Sequence, residues 1–185
     1  KPQMTESERM DKYFKGEKVD HIPFILEGFD MPFWHNSGYT TKEVNEHFDL
    51  FTKLLDKKFK EYDLNGIAIG YNLQNFGEIL GSKLEIPNEG ASRIVEYALK
   101  DGIDLDKIEV PTRSNNQGLE NLFQEGKKLK EIFPDQDMGC FIVGPISLAA
   151  ELRPVEKLLR DLRKSPKQAL ELINFCTEAA ISFVR

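Results

Sequence analysis

Ile22-Pro-Phe-Ile-Leu26, Thr40-Thr-Lys-Glu43 and Ile67-Ala-Ile-Gly-Tyr71 are the landmarks from which the fold is read. The first and third are unbroken apolar runs, and apolarity without alternation fits strands buried on both faces of a parallel sheet. Pro23 has no N–H to donate, so it must sit near the start of its strand. Thr40 and Glu43 have capping-box spacing, and Val44, Phe48, Phe51, Leu54, Leu55 and Phe59 follow at helical intervals. That stripe predicts one amphipathic helix of roughly five turns. Residues 27–40, with Gly28, Pro32, Trp34, His35 and Gly38, read as a long loop. The order strand, loop, helix, strand is a βαβ unit with a right-handed crossover expected.

Upstream, Thr5 and Glu8 form another capping box, and Met10, Tyr13 and Phe14 predict a short helix over 5–15 that Gly16 ends. Downstream, Lys83–Pro87 and Arg93–Tyr97, joined by Asn88-Glu-Gly90, predict a small hairpin laid over one end of the sheet. Leu119, Leu122, Phe123, Gly126, Leu129, Ile132 and Phe133 restore a helical stripe, and Cys140-Phe-Ile-Val143 reads as a third buried strand stopped by Gly144-Pro145. Pro154 opens a helix carrying Val155, Leu158, Leu159 and Leu162. Ser165 and Pro166 then start a last helix carrying Ala169, Ile173, Cys176, Ala180 and Phe183. That pattern is unbroken at Arg185. Three core strands do not close a barrel and leave an apolar sheet edge. The chain is therefore expected to be the N-terminal part of a larger βα-repeating domain. A small three-strand α/β domain, complete in itself, is the competing reading.

The 185 residues hold 25 Lys and Arg against 31 Asp and Glu, a net charge of −6. An acidic chain without a basic block speaks against nucleic-acid or anionic-membrane binding. No apolar stretch approaches ~18 residues, so no membrane span is expected, and the N-terminus has no apolar segment of a secretory signal. A cytoplasmic protein is expected. Cys140 and Cys176, each in an apolar stretch, read as buried thiols.

In parallel α/β folds chemistry gathers where strands end. The candidates are Glu27, Asp30, Trp34 and His35 after the first strand, Tyr71 and Asn72 after the second, and Gly144, Pro145, Ser147 and Glu151 after the third. Glu27 and Glu151 suit general acid–base work if burial raises their proton affinity. Capping a loop, or pairing with an arginine such as Arg153, is the structural alternative for each. His35, beside Phe33 and Trp34, fits ligand stacking, proton transfer or a structural loop position. His21 reads as structural and His47 as solvated. Neither cysteine has a second Cys or a His at ligand spacing, so no metal site is read here. Glycine-rich phosphate loops, the Gly-x-Ser-x-Gly elbow and His-Glu-x-x-His are all absent. The basic run Lys157–Lys164 is amphipathic and reads as a core-facing helix with a solvated face.

Three stretches carry a resemblance. Ser7-Glu-Arg-Met-Asp-Lys-Tyr-Phe-Lys-Gly-Glu-Lys-Val-Asp-His-Ile-Pro23 resembles the opening of the uroporphyrinogen decarboxylase superfamily. Gly66-Ile-Ala-Ile-Gly-Tyr-Asn72 with Glu78-Ile-Leu-Gly81 is similar to its second strand and following turn. Gly144-Pro145, Ser147-Leu-Ala-Ala150 and Leu158-Leu-Arg-Asp-Leu-Arg-Lys-Ser-Pro166 are similar to its third βα segment. The matches run in order over nearly the whole chain. The resemblance implies a (β/α)8 TIM barrel roughly twice this length, with residues 1–185 as a single incomplete domain, its N-terminal half.

The superfamily has two relevant branches. Decarboxylases carry arginines after strand one for an octa-acid substrate, an Asp after strand two and a Tyr after strand three. Here residues 27–35 hold no arginine, Asn72 falls at the Asp position and Glu151 at the Tyr position. The resemblance is therefore nearer to corrinoid-linked methyltransferases of the methylcobalamin:coenzyme M type. It implies methyl transfer to or from a corrinoid, with zinc held by a His-x-Cys pair and a further Cys outside this chain. On that reading Glu27, Asn72 and Glu151 are candidate catalytic residues. Trp34, His35, Tyr71 and Ser147 are candidate substrate-binding residues, and no metal ligand is assigned. A corrinoid protein or a small methyl acceptor is the expected partner, and a homo-oligomer is open. The alternatives are a uroporphyrinogen III decarboxylase of porphyrin biosynthesis and a non-catalytic scaffold or binding subunit. The Asp-x-His-x-x-Gly motif of corrinoid-binding proteins is absent.

Overall fold

A computed structural model describes residues 4–23, 30–62, 66–69 and 74–184. They divide into two compact units, one from Lys1–Ile67, Pro87–Gly90 and Phe133–Gly139, the other from Ala68–Ile86, Ala91–Ile132 and Cys140–Arg185.

In the first unit α1 spans Glu6–Phe14 and begins at the predicted capping box. Thr5 accepts from the Glu8 N–H, and the Glu8 carboxylate accepts from the Thr5 N–H. Arg9, on α1, is fully buried. Its Nε meets Asp20 Oδ1 at 2.6 Å, and its Nη2 donates to Asp20 Oδ2 at 3.1 Å and to the Met4 carbonyl at 2.8 Å. The paired fork ties the helix to the segment that follows it. Of the expected first strand, Phe24–Leu26 lie outside the described residues. Ile22 belongs to no strand and is 73% exposed.

The long loop expected over 27–40 is instead partly helical, as α2, Asp30–Asn36. Pro32 falls in the first turn, where a backbone N–H has no intrahelical acceptor to lose. Phe33 and Trp34 are buried against Tyr62 and Phe51, edge to face. Asp30 pairs with Lys58 at 2.6 Å. The long predicted helix is two helices, α3 (Thr41–Glu46) and α4 (Phe48–Tyr62). The Asn45 side chain donates to the Thr41 carbonyl at 2.8 Å, competing with the ladder, and His47 leaves the helix in an extended conformation. The His47 carbonyl then accepts from Phe51 N–H, opening α4. Val44, Phe51, Leu54 and Leu55 still face the core as the stripe requires.

Strand β1, Ile67–Ile69, pairs with β4, Met138–Cys140, in a parallel two-stranded sheet. The Ile67 N–H donates to the Asp137 carbonyl at 2.8 Å. Gly70 and Tyr71, the predicted end of this strand, lie outside the described residues. The third strand lies earlier than Cys140–Val143. Phe141 and Ile142 fall past its end, and they and Cys140 are exposed. Burial on both faces needs a covering layer on each side, and here Phe141 and Ile142 stay 42% and 41% exposed.

The second unit holds α5 (Asn75–Ile79), the predicted hairpin β2 (Lys83–Glu85) and β3 (Arg93–Glu96), then α6 (Gln117–Ile132), α7 (Pro145–Leu152), α8 (Val155–Lys164) and α9 (Pro166–Val184). In the antiparallel hairpin Glu85 lies opposite Arg93. Phe76, Leu80, Leu99, Leu148, Leu152, Leu158, Leu172 and Cys176 form its core, and Phe76 stacks on Phe183 at 4.2 Å. The last turn of α7 has carbonyls without helical donors, and the segments that enter and leave the hairpin supply them. Ser82 Oγ donates to the Glu151 carbonyl at 2.8 Å, and Leu99 N–H donates to the Leu152 carbonyl at 2.8 Å. Arg153, next along, donates to the Leu99 carbonyl at 2.7 Å and pairs with Asp161.

Removing Asp20 takes from the buried Arg9 guanidinium the carboxylate that its Nε and Nη2 both hold. Asp20→Ala is expected to lower unfolding free energy by about 3–5 kcal/mol, measured by urea titration. A loss below about 1 kcal/mol would contradict the buried pairing.

Candidate functional site

Gly144-Pro145 builds the site. Residues 141–144 leave β4, Gly144 forms the N-cap, and Pro145 occupies the first helical position, where its missing N–H costs nothing. Leu148, Ala149 and Leu152 turn into the core of the second unit and are fully buried. Glu151, on the same helix, is half-buried and faces α5. Its Oε2 accepts from the Gly77 N–H at 2.9 Å. Oε1 takes no hydrogen bond among the described residues.

Burial pushes the Glu151 carboxyl up to about 7, and the Gly77 N–H pulls the other way. No arginine offsets the burial, because Arg153 is taken by Asp161. The expected structural alternative of an arginine partner for Glu151 is thereby absent among the described residues. Cys176 on α9 is buried, and burial, aided by the charge of Glu151, pushes its thiol to about 12. A carboxyl titrating near neutrality gives or takes a proton at physiological pH, whereas this thiol stays protonated.

The other sequence candidates are dispersed. Glu27, Tyr71 and Asn72 lie outside the described residues. In the first unit Trp34 is only 2% exposed and lies edge to face with Phe51. His35 is exposed, with Nε2 3.4 Å from Thr41 Oγ1. In the second unit Ser147 is exposed one turn before Glu151 on α7. Gly77 and Ser82 belong to no chemical motif in the sequence. The signal at Gly77 is an isolated glycine beside Phe76 in a helical turn, which usually has a packing reason. A cleft of roughly 460 Å³ opens between α5 and α6, lined by Asn75, Glu78, Ile79, Asn116, Asn121 and Glu125 among others. No sequence candidate lines it.

Among the described residues no three His, Cys, Asp or Glu side chains gather to hold a metal ion. Cys140 is exposed on β4, and its expected burial is corrected here: the strand leaves it uncovered. Cys176 is a buried, protonated thiol. The zinc implied by the resemblance finds no ligand set among these residues.

The proton affinity of Glu151 carries a stability signature. Its folded value of about 7 lies above the ordinary 4.5, so between those values the folded chain holds a proton that the unfolded chain has released. This contribution is fully present below about pH 4.5 and is lost as pH rises through 7. Thermal melts of the wild type and Glu151→Gln at pH 4.5 and pH 8 test this. The wild type is expected to lose a few degrees more than the variant at the higher pH, and parallel behaviour would contradict it.

The model of the uroporphyrinogen decarboxylase (URO-D) family matches residues 5–185. No match is found among curated proteins. Among solved structures, a methyltransferase from Methanosarcina mazei has a similar fold, with a TM-score of 0.75 at 19% sequence identity. The likeness covers 98% of this chain and 55% of that one, so this chain spans about half the length of that methyltransferase. The family match takes in the buried Arg9 of α1, Gly77 of α5 and Glu151 of α7, and by it the chain belongs to the uroporphyrinogen decarboxylase family.

Proposed function

We propose that this chain serves methyl transfer to or from a corrinoid, as the N-terminal half of a (β/α)8 barrel. The observation that carries the reading is the fold likeness to a methyltransferase over 98% of the chain. The sequence supports the same branch. An octa-acid substrate needs cationic partners, and residues 27–35 hold none but His35. Asn72 and Glu151 stand where the decarboxylase pattern has Asp and Tyr.

A corrinoid, when bound, supplies or receives the methyl group. The chain's own contribution is proton handling. When a thiol accepts the methyl group, the methyl's bond to its donor breaks and leaves its electron pair on the donor, the sulfur–carbon bond forms and the thiol proton leaves; a carboxylate titrating near neutrality takes that proton. Oε1 of Glu151 is the free acceptor for that proton, while Oε2 is held by Gly77. On the resemblance alone, Glu27 and Asn72 stay proposed catalytic residues and His35, Tyr71 and Ser147 proposed substrate contacts, while Trp34 is packed against Phe51. The partner is a corrinoid protein or a small methyl acceptor. Among the described residues no cluster of side chains is set to hold zinc.

Membership of the uroporphyrinogen decarboxylase family favours a second reading, decarboxylation of uroporphyrinogen. One pair of assays on the intact protein separates the two. Thiol-dependent demethylation of methylcobalamin is expected, slowed roughly 100-fold in Glu151→Gln. Coproporphyrinogen formed from uroporphyrinogen, without methyl transfer, would overturn the proposal.

A further inference from the structure

Gly77 lies in the first turn of α5, whose N–H groups have no intrahelical acceptor. Its N–H finds one in Glu151 Oε2 at 2.9 Å. The approach is close enough that a Cβ on Gly77 would stand 2.7 Å from Glu151 Cβ and 2.8 Å from Oε2. The contact with Cβ decides the matter. Glu151 Cβ is fixed to the backbone of α7, so no side-chain rotation relieves the clash and the two helices would have to part. Gly77 is not among the positive-φ glycines, so space, not backbone conformation, demands glycine here.

The other end of Glu151 is held as well. Ser82 is buried and donates to the Glu151 carbonyl at 2.8 Å, while its Oγ accepts from the Ala98 N–H at 3.1 Å. Charged groups nearby are engaged elsewhere or turned away. Arg153 is taken by Asp161 and the Leu99 carbonyl, Glu78 on α5 is exposed, and Cys176 on α9 is the titratable group that feels the charge of Glu151. The Gly77 N–H is thus the polar group that orients this carboxyl.

We propose that Gly77 is a positioning residue for Glu151: its missing side chain admits the carboxyl to a niche against α5, and its N–H orients one oxygen so that the other exchanges a proton with substrate. The inference rests on the proton-exchanging role proposed above for Glu151.

Three variants of the intact protein test it. Gly77→Ala is expected to part α5 from α7 and bring the Glu151 carboxyl toward solvent. Its titration, read by NMR of the carboxyl carbon, then moves about one pH unit or more toward the ordinary carboxylate value. Methyl transfer at neutral pH slows about tenfold or more, with KM changed less than about twofold. Glu151→Asp leaves both helices in place but shortens the arm by one methylene, so the carboxyl no longer reaches the Gly77 N–H. It is expected to fall as low as Glu151→Gln. An unchanged Glu151 titration in folded Gly77→Ala, or a wild-type rate in Glu151→Asp, overturns the proposal. If Gly77→Ala does not fold, Glu151→Asp decides alone. Full activity in Glu151→Gln removes the proton role, and the carboxyl titration then shows separately whether Gly77 sets its environment.

Discussion

The approach of α5 to α7 at Gly77 and Glu151 is the constraint on which the polar architecture of the second unit hangs. Helices normally keep 8–10 Å between axes because side chains stand between them. A glycine on one side lets the carboxyl of the other reach a backbone N–H directly. Glu151 is then held at both ends, and the two flanks of the hairpin complete the carbonyls of α7, Ser82 before it and Leu99 after it. The same residues meet the end of α7, the start of α5 and the exit of the hairpin. Hydrogen-bond completeness at the helix termini is thus what brings the candidate group into its niche.

The two units show opposite treatments of a buried charge. Arg9 is fully buried and meets a carboxylate through both Nε and Nη2, so its charge is compensated where it lies. Glu151 is half-buried with one amide donor and no cation, so burial prevails and the proton is held to near neutrality. A paired charge rigidifies a joint. An uncompensated one is poised to titrate, and groups of that kind cluster at functional sites.

Much of the local structure was legible in the residues. Both capping boxes, at Thr5 and Thr40, form with the expected reciprocal bonds, because the signal is contained within four residues. The hairpin around Asn88-Glu-Gly90 and the Pro166 helix start are equally local. Longer-range expectations fared less evenly. The stripe from Val44 to Phe59 placed the core face correctly, but a single side-chain bond from Asn45 accompanies its division at His47. Residues 30–36, dense in turn-formers, became α2 once Phe33 and Trp34 found aromatic partners. The apolarity of Cys140-Phe-Ile-Val143 by itself predicts burial. Burial depends on what lies above and below, and that information is not in the run itself.

By itself the sequence determined the class of fold, the helix starts at Thr5, Thr40, Pro154 and Pro166, the family through its ordered motifs, and Glu151 as a candidate carboxyl after a strand. Tertiary structure alone decided what that carboxyl is. Its proton affinity arises from burial between helices whose closeness depends on a glycine 74 residues earlier, a pairing no local pattern encodes. The engagement of Arg153 with Asp161 was likewise settled in space, and it leaves Glu151 without a cation. Local hydrogen bonds and periodicity act within a turn or two of chain and can be read along it. Desolvation is set by everything that packs around a group, and only the folded chain assembles those surroundings.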